Sequence, residues 1–177
     1  MVRPIVIIGG AIPAILALLI AVPMITNPQV PFSAANADDK ISIELIKYDL
    51  KKISFGITER LTPQKSETLS ISDDGLLRYT LNVPNDPTVE KTMTLDKSQV
   101  TKLTALVKET GFMQLPMDSI PADESVTEYT KFSLKITLNG KTKQIQWPQQ
   151  NATSSFIPPL ISNFESELEG LLNQTKN

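Results

Sequence analysis

The stretch Tyr129–Trp147, YTKFSLKITLNGKTKQIQW, leaves its backbone few options. Phe132, Leu134, Ile136 and Leu138 alternate with Lys131, Ser133, Lys135 and Thr137, which is the two-residue period of a strand with one apolar face. Asn139-Gly140 follows. Both residues accept positive φ, and the type I′ turn they favour matches the right-handed twist of the strands it joins. A two-residue turn also fixes the pairing: Leu138 opposite Lys141, Ile136 opposite Lys143, Leu134 opposite Ile145, and Phe132 opposite Trp147. One side of this hairpin therefore collects Phe132, Trp147, Leu134 and Ile145 as cross-strand pairs. Such a face has to be covered by another layer.

The chain supplies two covers. Asp96 is an N-cap, Val100, Leu103, Leu106 and Val107 make an apolar stripe at helical spacing, and Gly111 stands where a helix ends in the left-handed conformation. After the polar loop that follows Trp147, Pro158-Pro159 suits a first helical turn. Ile157, Leu160, Ile161, Phe164, Leu168, Leu171 and Leu172 then form one continuous face. Upstream, Ile41–Lys47 and Ile53–Leu61 read as two strands, with a break at Pro63-Gln64-Lys65. Glu67–Ser72 is a further strand. Asp73-Asp74-Gly75 fits a three-residue hairpin loop that sets Ile71 against Leu77 and Leu69 against Tyr79. Lys91–Leu95 adds a short extended piece. The expected fold class is α+β: an antiparallel sheet of five to six strands with two helices on one face, behind one N-terminal transmembrane helix.

That helix is read from Pro4–Thr26, 23 residues without a charge in a chain of 177, when roughly 20 suffice to cross hydrocarbon. Arg3 on one side and Asp38-Asp39 on the other orient it with the N-terminus inside. The expected organisation is an anchor over 1–26, a tether over 27–39 and an extracellular domain over 40–174, at the cell membrane in a single pass. The rival reading is secretion after cleavage near Ala37, where Ala35-Asn36-Ala37 makes an A-x-A site, although Ala37 lies well beyond the apolar run. There is no Cys, so the exported domain has no disulfide framework and must close its core unaided. Asn151 and Asn173 lie in N-x-Thr sequons, which export makes chemically reachable for glycosylation.

With no His and no Cys, the chain holds no Ser-His-Asp triad, no thiolate nucleophile and no ordinary zinc site. Beyond residue 37 it carries 16 Lys and Arg against 19 Asp and Glu. That is the wrong sign for a nucleic-acid footprint. The acidic loop with Asp118, Asp123, Glu124 and Glu128 lacks the spacing of a calcium loop and reads as a solvated connection. Neither a metal nor a cofactor is expected, and the ectodomain is expected to be a monomer on its own. Trp147, the single Trp, is the candidate partner contact, since aromatics dominate binding hot spots; its register opposite Phe132 favours a core or half-buried role over that one.

The early hairpin with its D-G turn, the helix introduced by Thr94-Leu95-Asp96, Gly111-Phe112-Met113-Gln114-Leu115-Pro116, the strand Tyr129-x-x-Phe132-x-Leu134-x-Ile136, the N-G-K turn and the closing helix together resemble the emfourin-like domains of exported proteins. The resemblance spans roughly Ile41 to Leu172. It implies a non-catalytic extracellular binding module, and specifically a proteinaceous inhibitor of thermolysin-like metalloproteases. Where emfourins carry a G-G-F-A-G segment, this chain reads Lys52-Ile53-Ser54-Phe55-Gly56-Ile57, so no inhibitory residue is carried over. The alternative expectation is a structural or assembly component of a cell-envelope complex, held by the membrane helix.

Overall fold

Residues 34–176 are described by the computed structural model. The expected membrane span, 4–26, lies outside them; among the described residues no helix is long and apolar enough to cross a membrane. Six strands, β1 (Ile41–Phe55), β2 (Thr58–Ile71), β3 (Leu76–Asn82), β4 (Val89–Thr94), β5 (Glu128–Leu138) and β6 (Lys141–Pro148), form one sheet in the order β4-β3-β2-β1-β5-β6. Every neighbouring pair in it is antiparallel. Among the described residues there are two α-helices, α1 (Lys97–Glu109) and α2 (Pro159–Lys176).

The Asn139-Gly140 turn forms with φ of 51° and 79°, and β5 and β6 pair in the expected register, Phe132 opposite Trp147 and Leu134 opposite Ile145. The loop at Asp73–Gly75 likewise sets Ile71 against Leu77 and Leu69 against Tyr79. Gly75 is required there: its φ is 84°, and a Cβ would lie 2.9 Å from the Leu95 carbonyl oxygen. Asp96 caps α1 as one half of a capping box, its carboxylate accepting from the Gln99 N–H at 2.8 Å while the Gln99 side chain accepts from the Asp96 N–H at 2.9 Å. Gly111, φ 68°, ends the helix.

One sheet face is the core. Ile41, Ile43 and Leu45 of β1, Leu69 and Ile71 of β2, Leu77 of β3, Leu134 and Ile136 of β5, and Ile145 and Trp147 of β6 pack with Leu103 and Val107 of α1 and Ile161, Phe164 and Leu168 of α2 in a single buried cluster. Each such side chain contributes about 1.5–3 kcal/mol by leaving water. The opposite face is polar: Ser42, Arg78, Thr92, Lys135 and Gln144 are exposed on it. Both helices thus serve one side, as the α+β layout requires.

The first two strands differ from expectation. β1 runs unbroken to Phe55, and β2 begins at Thr58 and passes straight through Pro63. Pro63 is tolerated because the β1–β2 ladder shifts register between Asp49 and Leu50, setting Leu50 opposite Pro63, and because β3 pairs with β2 only from Ser66 onward. A proline at an irregularity on an otherwise unpaired edge removes no ladder hydrogen bond.

Candidate functional site: a projecting hairpin arm

β1 pairs with β5 only as far as Lys51, which lies opposite Glu128, and β2 leaves β3 at Ser66. The ribbon from Lys52, which lies opposite Leu61, through the turn to Leu61 therefore has neither β3 nor β5 alongside it. This two-stranded arm projects about 15 Å at the usual rise per residue. Its turn is Gly56-Ile57, with Phe55 opposite Thr58 and a positive φ of 73° at Gly56, as a turn of type II′ needs at its first central position.

At the tip Phe55 is 62% exposed and Ile57 fully exposed at 103%, with Leu61 at 43% farther back. Among the described residues the remaining large exposed apolar side chains, Val89 and Phe156, stand singly elsewhere. The charged residues sit behind the tip. Lys52 pairs with Glu59 at 3.3 Å, Lys51 with Glu128 at 3.9 Å, and Arg60 lies opposite Ile53.

The acidic loop braces the arm's base. The Lys52 N–H donates to the Thr127 carbonyl at 2.7 Å, and Lys52 Nζ to the Glu124 carbonyl at 2.7 Å. The loop is itself held by Lys143 Nζ on Asp118 at 2.6 Å, by Ser154 Oγ on Asp123 at 3.0 Å, and by Thr153 Oγ1 on the Pro121 carbonyl at 2.8 Å. Beneath it Leu50, Tyr129 and Ala152 form a second buried cluster on the otherwise polar sheet face, with Tyr48, Ala122 and Val126 against it. No group of three metal-ligating side chains occurs among the described residues.

Trp147 belongs to the core rather than to a contact surface. It is 1% exposed, stacks on Phe132 at 5.4 Å between ring centroids, and donates its indole N–H to Glu165 Oε2 at 3.2 Å. A shallow cleft of about 320 Å³ beside it is lined by Gln149, Ile157, Glu165 and Glu169. Burial pushes the Glu165 carboxyl above its ordinary value, against the opposing effect of the Trp147 hydrogen bond. Lys47 pairs with Glu169 and lies over the Phe132 ring. Two carboxylates of this cleft thus have partners, Glu165 in the Trp147 indole and Glu169 in the Lys47 ammonium. Both sequon asparagines are exposed, Asn151 in the 3-10 turn Gln150–Ala152 and Asn173 on the last turns of α2.

The C-terminal end of the expected tether is fastened to the domain. Asp39, its side chain 5% exposed, accepts from Lys108 Nζ at 2.6 Å, Asn139 Nδ2 at 2.8 Å and the Asn36 N–H at 2.6 Å. Asn139 in turn bonds both ways to the Lys40 backbone. Burial alone would raise the Asp39 pKa; the three hydrogen bonds and the Lys108 charge outweigh it and hold the pKa at about 2. A folded pKa below the unfolded value adds stability that is present above the unfolded pKa of about 3.9 and lost as pH falls towards 2. Asp39→Asn is therefore expected to be less stable than wild type near neutral pH, with the gap closing between about pH 4 and pH 2. Urea melts at stepped pH check this, and a gap independent of pH would contradict it.

The arm was within reach of sequence reasoning. Lys-Lys-Ile-Ser-Phe-Gly-Ile-Thr-Glu-Arg alternates on both sides of its glycine, which is a hairpin signal. What conceals it is that Ile53, Phe55 and Ile57 keep the two-residue period straight through Gly56, so that Ile53–Leu61 reads as one strand, whereas the structure turns the chain at Gly56-Ile57. Comparison of the chain with models of known protein families finds no match, and none of the curated proteins is significantly similar to it.

Proposed function

We infer that this protein is a non-catalytic binding module displayed on the outer side of a membrane, held by residues 4–26, with the β1–β2 arm as its contact element. The observation that carries this is the tip. Phe55 and Ile57 are presented to solvent at the outermost turn of the arm, while the sheet's apolar face is spent on the core. Neighbouring exposed apolar side chains of this kind mark interaction sites, and the brace from the acidic loop holds them in a defined place. The resemblance to emfourin-like domains supports the same class, since those domains act by binding. It makes a thermolysin-like metalloprotease the first soluble partner to assay.

A photo-crosslinking residue placed at Ile57 in the full chain, and in parallel at Arg78 on the polar sheet face, tests this in native membranes. Adducts at position 57 in clear excess over position 78 are expected. Equal yields at the two positions would remove the arm as the contact element.

A further inference from the structure

We propose that the arm docks on an anionic lipid surface, with Phe55 and Ile57 entering the acyl boundary while Arg60 lies at the level of the headgroups. The proposal rests on the reading of the arm as the contact element and names its partner.

Three observations converge. The first is shape. Ile57 is open to water on all sides, at the end of a narrow ribbon with no flat face beside it. A protein partner would need a cleft made for that tip, whereas a bilayer interface accepts a convex apolar point without one.

The second is depth. Arg60 is three residues beyond Ile57, which at the rise of a strand is about 10 Å back from the tip. Apolar side chains of interfacial segments sink about 5–10 Å into the boundary between headgroups and acyl chains. Burying the tip to that depth brings the Arg60 guanidinium level with the phosphates.

The third is charge. Residues 52–61 carry two cations and one carboxylate, whereas the rest of the chain beyond residue 37 carries 14 cations against 18 carboxylates. The single carboxylate of the arm, Glu59, is paired with Lys52. An anionic surface attracts the arm and repels the body, so it selects the orientation in which the tip arrives first.

The chain has no Cys, so Ile57→Cys, and as a control Arg78→Cys, each accepts one environment-sensitive fluorophore at a unique position. The labelled full chain is reconstituted into vesicles of phosphatidylcholine alone or of phosphatidylcholine with phosphatidylglycerol. A lipid-borne quencher is placed either in those vesicles or in a second population added from outside. The expected result is quenching at position 57 and not at position 78, from at least one population, in phosphatidylglycerol-containing vesicles only and relieved by high salt. Arg60→Gln should weaken the lipid affinity roughly fivefold, the effect of one cation near such a surface, without moving the thermal midpoint.

Equal quenching on phosphatidylcholine alone would overturn the anionic selectivity. A label at position 57 that stays open to a water-soluble quencher under every condition would overturn the docking itself. In that case protein adducts at position 57 would preserve the binding-module reading, and inhibition of a thermolysin-like protease lost in Ile57→Ser would assign the tip to a protein cleft. Absence of both lipid and protein adducts would remove both readings.

Discussion

Trp147→Ala is expected to destabilise the domain by about 3–5 kcal/mol, the range for truncating a fully buried aromatic. Its side chain touches three separate parts of the fold. It stacks on Phe132 with an interplanar angle of 11°, donates to Glu165 of α2 and lies fully buried in the main cluster. Removal therefore leaves a cavity between β6 and α2 and also strips a hydrogen bond from a partly buried carboxylate whose pKa burial has already raised. Denaturant titration of the full chain, followed by far-UV circular dichroism because the single Trp is lost, measures the change. A loss below about 1 kcal/mol would place the ring at the surface, since surface substitutions usually stay within about half that.

Phe164→Ala is expected to cost a similar amount, about 3–5 kcal/mol, for a different reason. Phe164 and Phe112 are both fully buried, and their rings meet edge to face at 5.1 Å and 62°. That contact ties α2 to the 3-10 turn Phe112–Gln114, which directly follows α1, so the two covering helices are locked to each other as well as to the sheet. The two truncations should consequently fail to add. A cycle of Phe112→Ala, Phe164→Ala and the double variant is expected to give a coupling of about 0.5–1.5 kcal/mol, the worth of an aromatic pair beyond its area. Additivity within about 0.3 kcal/mol would mean that the helices dock independently.

The elements whose instructions are local were legible before folding. Asn139-Gly140, Asp73-Asp74-Gly75, the Asp96 cap and the apolar stripes of both helices each act within a few residues. A turn that demands positive φ, or a cap that satisfies the first N–H groups, does so whatever surrounds it. Register followed from turn length, and burial of Trp147 followed from register. These together determine an antiparallel sheet with one apolar face and two helices shaped to cover it.

Tertiary structure decided what local signals cannot carry. Pro63 is a breaker in isolation and a harmless strand residue at the irregularity opposite Leu50, because whether its missing N–H matters depends on which strands run alongside. The acidic loop reads as solvated charge. It becomes a brace because Lys143, Ser154 and Lys52 arrive from distant parts of the chain to meet it. Asp39 reads as the last residue of a tether and is a fastened, buried carboxylate only because Lys108 and Asn139, 69 and 100 residues away, converge on it. The exposure of Phe55 and Ile57 is likewise a property of the assembled sheet. Their sequence is apolar enough for a core, and they reach solvent because β3 and β5 end before the tip does, leaving no neighbour to cover them.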